Sequence, residues 1–90
     1  MLDESTRDED IRLFGAVEQS DGSYVDKEGN MTWYNDAGEW HREDGPAGTY
    51  PSEDVEEWWL NDVFYNTFSE WLIELNKSDE DKMLLRLQYE

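Results

Sequence analysis

Apolar positions along the chain change period once. From Tyr24 to Tyr65 they come in short β-prone runs: Tyr24-Val25, Met31-Thr32-Trp33-Tyr34, Glu39-Trp40-His41-Arg42, Ala47 to Tyr50, Trp58-Trp59-Leu60 and Val63-Phe64-Tyr65. Clusters of Gly, Asn, Asp, Ser and Pro separate them, as turns between hairpin strands do. From Phe68 onward the spacing becomes helical. Phe68, Trp71, Leu72 and Leu75 fall at i, i+3, i+4 and i+7, which is one face of a helix.

Local signals mark the ends of these elements. Asn66 or Thr67 is placed to cap the first C-terminal helix, and Glu70 stands three residues after Thr67, the spacing of a capping box. Ser78 with Asp81 repeats that spacing for a second helix, whose first turn carries Asp79, Glu80 and Asp81 at the positive end of the helix dipole. Met83, Leu84 and Leu87 are expected to form its buried stripe. The tail from Leu85 to Tyr89 also alternates, which keeps a terminal strand open as an alternative. At the other end, Thr6 and Glu9 have capping-box spacing. The apolar residues that follow, Ile11, Leu13 and Ala16-Val17, read either as the end of that helix or as a strand broken at Gly15. The strand is the favoured reading.

The expected fold is therefore α+β: a small twisted antiparallel β-sheet of hairpins covered by two C-terminal helices. One domain spans 1–90, with an acidic, fraying segment at 1–10, a β-hairpin region at 11–65 and a helical region at 66–90. Trp33-Tyr34-Asn35-Asp36 and Trp59-Leu60-Asn61-Asp62 form a weak internal repeat. Two copies are too few for a free-standing solenoid, so the helices must cover the sheet.

Composition narrows the picture. Ninety residues support one core, and with no cysteine neither disulfides nor a zinc–thiolate site can brace it. Five Trp, five Tyr and three Phe supply the apolar area instead. The charged start and the lack of any long apolar run imply no signal peptide and no membrane span, hence a cytoplasmic protein. Twenty-four acidic against seven basic residues give a net charge of −17. Such a chain meets phosphates with like charge, so direct binding to nucleic acid or an anionic membrane is disfavoured and a basic partner favoured.

Catalytic and metal constellations are weak. His41 is the only histidine and has no cysteine, serine or threonine beside it, so a structural role is expected. Asp26, Glu28 and Asn30 alternate as in a calcium loop, but Ala37 stands where the closing carboxylate would be. No cofactor, metal site or enzymatic activity is expected. The acidic run stands out: Glu53, Asp54, Glu56, Glu57, Asp62, Glu70, Glu74, Asp79, Glu80 and Asp81, with Lys77 as the one base between Pro51 and Asp81. Carboxylates at helical spacings approach the separation of successive phosphates on a nucleic-acid strand.

The stretch His41-Arg42-Glu43-Asp44-Gly45-Pro46-Ala47 carries a resemblance. With Trp33, Tyr34 and Gly38 before it and Trp58, Trp59, Asn61, Glu70, Trp71 and Leu72 after it, it resembles a repeat of bacteriophage proteins of uncharacterised role, distantly similar to MORN-type hairpin repeats. The resemblance covers roughly residues 28–89 and implies a hairpin fold and phage ancestry. His41, Arg42, Asp44, Gly45 and Pro46 are then structural turn residues. Asp62 stands where the repeat prefers glycine, so the second hairpin is expected to be altered. Charge and resemblance together point to a phage-type inhibitor whose ten acidic residues sit on the Lys and Arg of a host nucleic-acid-acting protein, such as a CRISPR or restriction effector. The alternative is a structural or adaptor module with incidental acidity. Association of copies through a sheet edge stays open.

Overall fold

The computed structural model describes residues 4–90. Three helices and six strands follow in the order α1 (Thr6–Phe14), β1 (Val17–Glu18), β2 (Tyr24–Val25), β3 (Met31–Thr32), β4 (Gly48–Tyr50), β5 (Val55–Leu60), β6 (Val63–Tyr65), α2 (Phe68–Glu74) and α3 (Asp79–Tyr89). The strands form one antiparallel meander in chain order, β1 to β6. The α+β class with two C-terminal helices is the architecture expected from the sequence.

Register assigns the two faces, because cross-strand partners point the same way. The pairs Val17–Val25, Val25–Met31, Met31–Thr49, Thr49–Glu56, Trp58–Tyr65 and Leu60–Val63 define the first face. Glu18, Tyr24, Thr32, Tyr50, Glu57, Trp59 and Phe64 define the second.

The core sits at the β5–β6 end of the first face. Trp58 and Leu60 from β5 pack with Trp71, Leu72 and Leu75 of the α2 segment and Leu85 of α3. Trp58 is the hub, with ring centroids 4.8 Å from Trp71, 5.0 Å from Phe68 and 5.3 Å from Tyr89. The helical spacing Phe68-Trp71-Leu72-Leu75 thus faces the sheet as expected. Both capping predictions hold: Thr67 Oγ1 accepts the Glu70 N–H at 3.1 Å, and Ser78 Oγ accepts the Asp81 N–H at 3.2 Å.

Two expectations about the helices are corrected. The segment favoured as a strand at Ile11–Leu13 is helical. Ser5, not Thr6, caps α1 by accepting the Asp8 N–H, and Gly15 ends the helix in the left-handed region at φ 69°. Strand begins only at Val17. The second correction concerns α3, which runs helically to Tyr89 and buries Leu85 rather than Met83, Leu84 and Leu87. Those three are 60%, 58% and 78% exposed. Tyr89 fixes this rotation: its ring packs on Trp58 and Phe68, and its hydroxyl donates to the Asp44 carbonyl at 3.3 Å.

The Trp33–Arg42 stretch is less regular than a hairpin. It pairs through a single bridge, Tyr34 to Trp40. The second hairpin keeps a two-residue turn, with Asn61 at φ 50° and Asp62 at φ 65°. Left-handed geometry at both positions is what a tight type I′ turn demands, and Asn and Asp are the non-glycine residues that tolerate it.

Candidate partner-binding surface

The His41–Ala47 stretch is built around one guanidinium. Arg42 lies over the Trp33 ring at 4.5 Å, its Nε donates to Asp44 Oδ1 at 2.8 Å, and an Nη1 hydrogen reaches the Pro46 carbonyl at 3.2 Å. Gly45 is buried, and a Cβ there would lie 2.6 Å from the Tyr89 hydroxyl and 2.7 Å from Arg42 Cζ. Glycine is needed for that close approach. His41 Nδ1 accepts the Asn61 N–H at 3.1 Å, which places the proton on Nε2, facing Glu43 at 2.9 Å. The five turn residues thus hold the two repeat copies and the end of α3 together. Among the described residues, no nucleophile is hydrogen-bonded to His41.

The ten acidic residues do not gather in one place. Glu53 and Asp54 occupy the turn before β5, and Asp62 the turn after it. A six-residue strand separates those turns by about 17–20 Å. Glu70 and Glu74 lie four apart on α2, both exposed, a spacing that sets like charges side by side. Asp79, Glu80 and Asp81 fill the first turn of α3, where the dipole favours them. Asp81 also lines a shallow depression with Glu43, Asp44 and Lys77.

Two of the ten have internal duties. Glu57 Oε1 accepts the Tyr50 hydroxyl at 2.9 Å and the Trp59 indole N–H at 3.3 Å. Asp62 accepts the Trp40 backbone N–H at 2.7 Å and the Thr6 hydroxyl at 2.9 Å. The other eight are exposed. Among the described residues, none of the eight makes an ion pair. The ion pairs present use other acids, Glu4, Asp8, Asp44 and Glu90; Glu43 accepts a hydrogen bond from the neutral His41 ring.

Sequence reasoning missed two features of this surface. One is the exposed apolar flank of α3, Met83, Leu84 and Leu87. Four apolar residues within five positions surround that helix, so spacing alone does not say which are buried. The other is the role of Asp10, whose Oδ2 accepts both the Trp40 indole N–H at 2.8 Å and the Tyr34 hydroxyl. These bonds lay α1 across the second face of the sheet. Burial, then the neighbouring Asp10 carboxylate, pushes the Tyr34 phenol above its ordinary range. Asp26, considered above as a calcium ligand, spends its carboxylate on the N–H groups of Glu28 and Asn30 and on the Asn30 side chain.

Among the described residues, no helix is long and apolar enough to cross a membrane. Compared with protein-family models, curated proteins and solved structures, the chain has no match.

Proposed function

We propose that this chain is a non-enzymatic, phage-type inhibitor that covers a basic, nucleic-acid-binding surface of a host protein with its own carboxylates. The observation that supports the reading is the set of eight exposed acids between Glu53 and Asp81 that, among the described residues, no Lys or Arg engages. Unpaired charge of one sign raises the association rate with an oppositely charged surface and makes the complex salt-sensitive. Self-repulsion at net −17 costs stability, a cost that a basic partner offsets on binding. The working acids are Glu53, Asp54, Glu56, Glu70, Glu74, Asp79, Glu80 and Asp81; Asp62 and Glu57 support the fold behind them.

A second reading rests on a different observation. Met83, Leu84 and Leu87 form an exposed apolar flank on α3, of the kind that marks protein contacts. An adaptor would bind through that flank, with charge incidental.

Capture from host lysate separates the two. On the inhibitor reading, immobilised protein retains nucleic-acid-acting proteins, which moderate salt and added duplex DNA both release. Retention that resists salt and DNA, and is lost on Leu84→Ser, overturns it in favour of the adaptor.

A further inference from the structure

Between α1 and the second face of the sheet lies a cavity of about 330 Å³, at the small end of the range for organic ligands. Its lining combines two chemistries. Among the residues that line it are the aromatics Phe14, Trp40 and Tyr50 and the acids Asp10, Asp26 and Glu28. Among the described residues, no Lys or Arg lines it. Lys27, which lies between Asp26 and Glu28 in sequence, carries its alkyl stem over Gly15 and makes no ion pair among the described residues.

The three carboxylates differ in what they have left to offer. Asp26 is spent on its own turn, with hydrogen bonds to both oxygens. Asp10 uses Oδ2 for Trp40 and Tyr34, while its Oδ1 accepts no bond among the described residues. Neither carboxylate oxygen of Glu28 accepts one. A metal ion is a poor occupant, because no group of three or more ligating side chains among the described residues is arranged to hold one. Aromatic walls with two free carboxylate positions suit an organic cation instead. Among these, the guanidinium is planar, weakly hydrated and able to stack on a ring while its N–H groups meet carboxylates.

We infer that this cavity binds an alkylguanidinium group, its plane against the aromatic walls and its N–H groups toward Asp10 Oδ1 and Glu28. The site is separate from the acids of α2 and α3 proposed above, because the cavity lies on the opposite face of the sheet from those helices. The guanidinium belongs either to a free small molecule or to an arginine side chain of a protein.

Titration of the ¹⁵N-labelled chain tests this, with the Trp40 indole N–H as reporter. N-ethylguanidinium is expected to shift that resonance saturably, with a dissociation constant in the millimolar range, and ethylurea, its neutral isostere, to leave it in place. Glu28→Gln is expected to weaken guanidinium binding about three- to fivefold, and Glu70→Gln, on the other side of the molecule, to leave it unchanged. A capped Gly-Arg-Gly peptide distinguishes the sources. Binding about tenfold tighter than N-ethylguanidinium indicates an arginine side chain, and equal or weaker binding indicates a free ligand. Equal response to urea and guanidinium, a silent Trp40 resonance, or undiminished binding in a folded Glu28→Gln protein overturns the inference. The guanidinium–urea contrast needs no variant and stands even if Glu28→Gln disturbs its loop.

Discussion

Asp62 and Trp40 hold each other in both directions: the Asp62 carboxylate accepts the Trp40 N–H at 2.7 Å, and the Trp40 carbonyl accepts the Asp62 N–H at 2.9 Å. The side-chain bond accounts for an aspartate in a turn position where glycine would be less strained. Asp62→Ala loses the acceptor and keeps the left-handed φ, so it is expected to destabilise by about 1–2 kcal/mol. Asp62→Gly relieves the backbone and is expected to cost less, and Asp62→Asn least. Urea unfolding of the three variants reads the order directly.

Trp71 is fully buried and its indole N–H has no partner among the described residues. Truncation and isosteric change therefore diverge. Trp71→Ala opens a cavity beneath Trp58 and is expected to cost about 3–5 kcal/mol, a large share of the roughly 5–15 kcal/mol that holds a domain together. Trp71→Phe removes the unpaired donor along with some volume, and the two effects partly cancel to about 1.5 kcal/mol or less. Thermal and urea midpoints of both variants check this.

Gly45 makes room for Tyr89 and Arg42. Gly45→Ala is expected to displace both and to cost about 1–3 kcal/mol. Removing the Tyr89 hydroxyl clears the nearest obstacle. The double variant Gly45→Ala/Tyr89→Phe is thus expected to be more stable than the sum of the two single changes predicts. A double-mutant cycle measures that coupling.

The Tyr34 and Tyr50 phenols sit above their ordinary range, each chiefly through burial and then through the carboxylate its hydroxyl meets, Asp10 or Glu57. A tyrosine whose folded pKa is raised favours the neutral form in the native state. Its contribution is fully present below the unfolded value, about 10, and is lost as pH climbs from there toward the folded value. Stability is expected to fall above about pH 10, and Tyr34→Phe to flatten that fall. Urea midpoints measured across alkaline pH test the sign.

What was legible in the sequence was local. Thr67 and Ser78 announce their helices because a cap needs only three neighbouring residues. The Phe68–Leu75 stripe is legible because three of its four gaps, Ser69, Glu70 and Glu74, are polar, and the fourth, Ile73, is left exposed. α3 was not, since Met83, Leu84, Leu85 and Leu87 allow several rotations and the choice is made by Tyr89 against Trp58, a contact with the distant β5. α1 was missed for another reason: it buries no residue, and it is held by hydrogen bonds with distant segments, Asp10 to Tyr34 and Trp40, Thr6 to Asp62 and the Arg7 N–H to the Gly38 carbonyl. The acidic run could be read as composition. Which acids serve the fold could not, because the partners of Glu57 and Asp62 include Tyr50, Trp40 and Thr6, all outside the run.

The central claim is that unpaired carboxylates, those of α2 and α3 among them, carry recognition of a basic protein. Its most direct test is the affinity of a captured partner for the wild-type chain and for Glu70→Gln/Glu74→Gln/Glu80→Gln/Asp81→Asn, measured over a salt series. Binding is expected to weaken about tenfold or more at low salt, with a shallower salt dependence. Affinity unchanged in that variant, and abolished instead by Met83→Ser/Leu84→Ser/Leu87→Ser, would contradict it.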